Sequence, residues 1–82
     1  MTYEVDVGSV RGELEALPRE ALVALAEVLD VLEVVPWSGD PLVDRNPDGA
    51  VRTMPFGSTG LVTYVVVERL GRVDLLQLHW VG

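Results

Sequence analysis

The sequence predicts an α+β domain: an N-terminal strand, a helical hairpin, then a three-stranded antiparallel meander, with the helices packed on one face of the sheet. Three observations carry this. Tyr3, Val5 and Val7 alternate with Glu4 and Asp6, the period-two pattern of a half-buried strand. Residues 10–35 repeat apolar side chains at helical spacing, as amphipathic helices do. Residues 50–81 hold three apolar runs divided by connections too short for a helix, so these strands must turn back on one another.

The elements follow in order. Gly8 and Ser9 end the first strand. Val10, Leu14 and Leu17 give a short amphipathic helix over 10–17. Pro18 stops it and suits the first turn of the next, because a first-turn residue has no helical acceptor for its N–H. Residues 19–35 form the main helix, with Leu22, Leu25, Val28, Leu29 and Leu32 as the buried stripe and Glu20 and Glu27 opposite. Residues 36–49 contain three Pro and two Gly and read as a long loop, which Trp37 pins. Ala50–Phe56, Leu61–Glu68 and Arg72–Val81 are the meander strands, joined by turns at 57–60 and 69–72. The partner of the first strand is left open.

The 82 residues make one domain, spanning 1–82. With no Cys, a disulfide framework, a thiol nucleophile and thiolate metal sites are excluded. One His and scattered acids give no metal-ligand spacing, there is no phosphate-binding glycine loop, and no cofactor is expected. No apolar run reaches the ~18 residues of a membrane span, and no early Lys or Arg marks a secretory leader. A cytoplasmic protein without membrane contact is expected.

The formal net charge is −7, from six Arg, no Lys and 13 acids. Eight acids fall in residues 1–33 with two Arg, and five in 34–82 with four Arg. Nucleic-acid binding draws on neutralised phosphates, so the chain starts badly placed for it, and the C-terminal half is the part able to present a locally basic surface.

A symmetric turn at 69–72 pairs Glu68 with Val73, Val66 with Leu75, Tyr64 with Gln77 and Val62 with His79. One sheet face then holds Val62, Tyr64, Val66, Leu75, Gln77 and His79. The other holds Leu61, Thr63, Val65, Val67, Leu76, Leu78 and Trp80. The second is more apolar and is expected to meet the helices. The first is left uncovered, an apolar surface that calls for a partner chain, a second copy or a ligand. It groups the side chains able to do chemistry. His79 is the only imidazole, a candidate acid or base. Tyr64 can stack or donate a proton, with Gln77 beside it as a candidate substrate contact; Trp80, on the other face, is the second such candidate. An even turn at 57–60 sends Arg52 to the helix side with Met54 and Phe56. A one-residue bulge brings it beside Tyr64, and Pro55 makes a bulge reasonable.

Several motifs carry a family resemblance: Leu32, Pro36 and Gly39 closing the helical hairpin; Pro47-Asp48-Gly49-Ala50-Val51-Arg52-Thr53-Met54; Gly60-Leu61-Val62-Thr63-Tyr64-Val65-Val66; and Leu75-Leu76-Gln77-Leu78-His79-Trp80. With the element order, they make the chain resemble the RelE/ParE superfamily of bacterial type II toxins over about residues 3–81. The resemblance implies a toxin silenced by a cognate antitoxin protein. In the RelE-like branch it implies an endoribonuclease (an mRNA interferase) that inhibits translation by cutting mRNA on the ribosome. It carries over His79, Arg52 and Tyr64 as catalytic residues, with Arg52 on the phosphate. Leu61 stands where active ribonucleases of that branch commonly carry Arg. A ParE-like gyrase inhibitor and a silent, partner-binding relative are the alternatives, and a homodimer is compatible with the uncovered face.

Overall fold

The computed structural model describes residues 2–81. Among them a five-stranded sheet runs in the order β1-β5-β4-β3-β2. The strands are β1 (Glu4–Asp6), β2 (Asp40–Pro41), β3 (Val51–Phe56), β4 (Gly60–Val67) and β5 (Arg72–Trp80), and the helices are α1 (Arg11–Ala16) and α2 (Arg19–Val34). The expected α+β order holds. β1 lies parallel to β5, Val5 opposite Val73, and the meander β3-β4-β5 is antiparallel. One short strand, β2, was not expected. It rises inside the 36–49 loop and pairs Asp40 with Thr53 and Pro41 with Arg52.

α2 forms because Ala21, Leu25 and Leu32 recur on one side and all three are buried. Full burial of a leucine stabilises by about 1.5–3 kcal/mol relative to exposure. Leu22, expected in that stripe, is 40% exposed. Ala21 takes the buried place beside it, and Val28 and Leu29 are partly buried. Pro36 disfavours helical geometry at Val35, whose φ and ψ are −133° and 63°, and α2 ends there. A 3₁₀ turn over Glu68–Leu70 closes the β4–β5 hairpin, with Gly71 in the left-handed region at φ 60°. No described helix is long and apolar enough to cross a membrane.

The expected sheet faces are exchanged on β4 and the first part of β5, while Leu78 and Trp80 meet the helices and Gln77 and His79 stay on the uncovered side as expected. Val62, Tyr64 and Val66 are buried under the helices with Val73, Leu75 and Leu78. Two changes of register accompany this. The hairpin closes around residues 68–71, so Tyr64 lies opposite Leu75 rather than Gln77; a shift of two residues leaves the same side chains on each face. A bulge follows: Thr63 pairs with Gln77, leaving Leu76 as the extra residue on β5. Before the bulge Val73 and Leu75 point inward, and after it Leu78 and Trp80 do. Asp74, Gln77 and His79 point outward. On β4 both faces are apolar, so hydrophobic pattern alone does not choose between them. The polar residues of β5 make the choice, and only a shift of phase at Leu76 keeps all of them out of the core.

Candidate functional site

The sequence-derived site residues divide between two places. Arg52, Tyr64 and Trp80 belong to the helix-covered side, while Gln77 and His79 are exposed on the helix-free face. The expected grouping of Tyr64 with Gln77 and His79 is therefore corrected. The bulge rotates the end of β5, and Tyr64 is fully buried.

Arg52 and Tyr64 are neighbours, directly paired across β3 and β4. The turn between these strands is odd, with Phe56 opposite Gly60, which settles the open register in favour of this arrangement. Arg52 is 8% exposed. Its Nε donates to the Gly39 carbonyl at 2.9 Å, and its Nη1 donates to the Pro47 and Gly49 carbonyls at 3.1 and 2.9 Å. Its guanidinium lies 5.4 Å from the centroid of the Trp37 ring, within cation–π range. The Tyr64 hydroxyl donates to the Pro36 carbonyl at 2.6 Å. Burial pushes the pKa of that hydroxyl up. The Gly39 backbone and Arg52 work against this, and Asp40 adds to it. The phenol stays protonated and donating. Together these bonds tie the loop over 36–49 to the sheet. They engage Nε and Nη1 of Arg52 and keep its guanidinium on the helix-covered side, buried away from the helix-free face.

A second clasp reinforces the first. Glu68 accepts from the Tyr3 hydroxyl at 2.7 Å and from the Trp37 indole at 2.9 Å. These bonds hold its carboxyl below the ordinary range, and the Glu68 carboxylate raises Tyr3 in turn. Trp37 thus pins the loop, as expected. Its clasp partners lie 31 and 34 residues away in sequence and left no local signal. Glu13 was missed for the same reason: its carboxylate accepts the Leu78 N–H at 3.0 Å, holding β5 just after the bulge. Trp80 stacks on Phe56 with centroids 5.6 Å apart.

The helix-free face is set by the outward residues of β3, β4 and β5. Across it Val51 pairs with Val65, Thr53 with Thr63, Thr63 with Gln77, and Leu61 with His79. The strands contribute only two Arg. Arg52 is on the other side. Arg72 makes a two-pronged pair with Asp74, at 2.7 and 3.1 Å, and this raises its pKa further. The face can offer His79 as a proton-transfer group, amide and hydroxyl groups from Gln77, Thr63 and Thr53, and no unpaired strand cation. An apolar pocket of about 200 Å³ adjoins the β3 side of this face at Val51, lined also by Leu42 and Val43 of the 36–49 loop. Among the described residues no group of three His, Asp or Glu is placed to hold a metal ion.

No family model matches the chain, and no curated protein matches it. Solved structures do. The chain is similar to one chain of the RelBE2 toxin–antitoxin complex from Mycobacterium tuberculosis, with a TM-score of 0.81, 21% identity, and coverage of 99% of this chain and 93% of that one. It is also similar to a chain of the archaeal RelE–RelB complex from Pyrococcus horikoshii OT3, with a TM-score of 0.65, 22% identity, and coverage of 100% and 98%. Near-full-length agreement in both directions leaves no element unaccounted for, and the chain has the RelE-like fold.

Proposed function

We propose that the chain is the toxin of a toxin–antitoxin pair, a RelE-like ribosome-dependent mRNA endonuclease acting in the cytoplasm. The observation that carries this is the fold likeness over 99% of the chain to a chain of a toxin–antitoxin complex. Fold alone does not specify chemistry, so the residues of the helix-free face must supply the mechanism.

In such a cleavage the ribose 2′-hydroxyl loses a proton and attacks the adjacent phosphorus. The 5′-oxygen leaves and takes up a proton. His79, the only imidazole in the sequence, is the group on this face suited to act as acid or base. Gln77 and Thr63, paired across the strands beside it, are placed to orient the ribose or phosphate. Arg52 and Tyr64 act at one remove, by holding the 36–49 loop. Negative charge building on the phosphate needs stabilisation, and the only Arg of the helix-free strand face is paired with Asp74. The ribosome–mRNA assembly must supply it, so free RNA is not a substrate. A cognate antitoxin is the partner that silences the protein in this reading, as the two similar structures are of toxin–antitoxin complexes.

The test is primer extension on mRNA incubated with purified protein, with and without programmed ribosomes. Cuts on ribosomes only, reduced at least 100-fold in His79→Ala, are expected from the usual worth of an acid–base group. The same shortage of unpaired cations favours a second reading, a non-catalytic binding protein. Growth arrest without cuts, unchanged by His79→Ala, would replace the first reading with a binding toxin. Absence of both arrest and cuts would leave a silent relative.

A further inference from the structure

We infer that the helix-free sheet face docks a cationic amphipathic segment of a partner protein, with its apolar stripe on the valines of β4 and its Lys or Arg side chains at the β1 edge. Naming that partner as the antitoxin rests on the toxin reading; the chemistry of the surface does not. The middle of the face is apolar and hydroxylic: the β3–β4 register brings Val51, Thr53, Leu61, Thr63 and Val65 side by side, and Val67 follows them on β4, opposite Arg72. No helix of the described chain covers it. A contiguous apolar patch of this kind on a soluble domain marks an interaction site.

The border of the patch is acidic on one side. Glu4 lies beside Arg72 and Asp6 beside Asp74 in the parallel β1–β5 pair. Val5 packs toward the core, so the alternation of the strand turns Glu4 and Asp6 to the helix-free side. Three carboxylates therefore meet one guanidinium, and Arg72 is spent on Asp74. A partner that lays apolar side chains on Val65 and Val67 must end over this edge, where a cation is attracted and a phosphate or carboxylate is repelled. From β3 to β1 the face spans about 14 Å, three strand spacings, which a helix of about ten residues crosses.

The probe is a synthetic 14-residue amphipathic peptide with Leu and Val on one helical face and Lys along its flanks. An otherwise identical peptide carries Glu in place of Lys. Binding is followed by fluorescence anisotropy and by ¹⁵N–¹H chemical-shift mapping. The Lys peptide should bind at least tenfold more tightly than the Glu peptide. It should weaken with salt and shift the amides of Leu61, Thr63, Val65 and Val67. Val65→Asp should weaken it at least tenfold although the substitution adds negative charge, which separates docking on the face from general attraction to an acidic protein. Leu61→Asp, at a residue already 39% exposed, serves as the second variant should Val65→Asp fail to fold. Glu4→Lys with Asp6→Lys should reverse the peptide preference. Shifts confined to the exposed apolar residues of α2, equal binding of both peptides, or no binding would overturn the inference. A concentration-dependent dimer that buries the face would assign it to a second copy instead. Peptide mapping on the face without growth arrest would sink the toxin reading and leave the surface; arrest with no peptide bound would do the reverse.

Discussion

Replacing Arg52 by Met tests whether this residue anchors a loop or touches a substrate. The buried bond to the Gly39 carbonyl, a charge-assisted one, is worth about 2 kcal/mol. The two Nη1 bonds, to the Pro47 and Gly49 carbonyls, are part-buried, and these acceptors rehydrate once released, so about 0.5–1 kcal/mol each is reasonable. The contact with Trp37, itself 40% exposed, adds about 0.5 kcal/mol. Against this, Met spares the folded state the desolvation of a guanidinium, an offset of about 1 kcal/mol. The net loss is about 3 kcal/mol. For a chain of 82 residues each kcal/mol moves Tm by about 4–8 °C, so a fall of about 12–24 °C is expected. Urea unfolding gives the free energy directly. Amide exchange locates the effect: the Leu42 N–H, bonded to the Val51 carbonyl at 3.0 Å, should lose protection while Leu32 keeps its own. Arg52→Lys keeps the charge but not the fork, and should recover less than half of the loss. A stability within 0.5 kcal/mol of wild type, with Leu42 still protected, would refute the anchor and return Arg52 to the list of substrate contacts.

Three further outcomes follow from the same geometry. Tyr64→Phe leaves the Pro36 carbonyl without its buried donor and should cost about 1–2 kcal/mol by urea unfolding, with an unchanged m-value. Gly39→Ala would put a Cβ onto the Tyr64 hydroxyl and 2.6 Å from the Thr53 carbonyl oxygen; a loss of about 1–3 kcal/mol from overpacking is expected, read as a lower urea midpoint. The carboxyl of Glu68 is held down by its bonds from Tyr3 and Trp37. Its stabilisation is therefore present above the ordinary carboxylate range and lost as pH falls through the lowered value, so Glu68→Gln should flatten that part of a Tm-against-pH curve measured alongside wild type.

The elements were legible because each has a local cause. Pro18 separates the two helices, Pro36 ends the second, and the alternation of Tyr3, Val5 and Val7 needs nothing beyond its own neighbours to read as a strand. β2 was not legible, since two residues, Asp40 and Pro41, carry no period of their own. Their pairing is imposed by Arg52, which holds the Gly39 carbonyl from the far side of the loop. The parallel partner of β1 was equally out of reach, because three residues paired across 68 positions have no turn to set their register.

The site failed to assemble as expected for one physical reason, and the signal for it was present. An unbroken β5 puts Val73, Leu75, Gln77 and His79 on one face, so either Gln77 and His79 go into the core or Val73 and Leu75 come out of it. Burying an unpartnered amide and an imidazole costs several times what one unpaired bulge residue does. The strand takes the bulge at Leu76, and the Glu13 carboxylate caps the Leu78 N–H beyond it. The change from outward even positions, at Asp74, to outward odd ones, at Gln77 and His79, is what such a shift of phase leaves in a sequence. It separates the imidazole from the phenol and guanidinium, and it assigns them different work. His79 is exposed on the helix-free face, while Tyr64 and Arg52 hold the 36–49 loop against the sheet behind it. A substitution on one side should therefore change activity at constant stability, and on the other stability first.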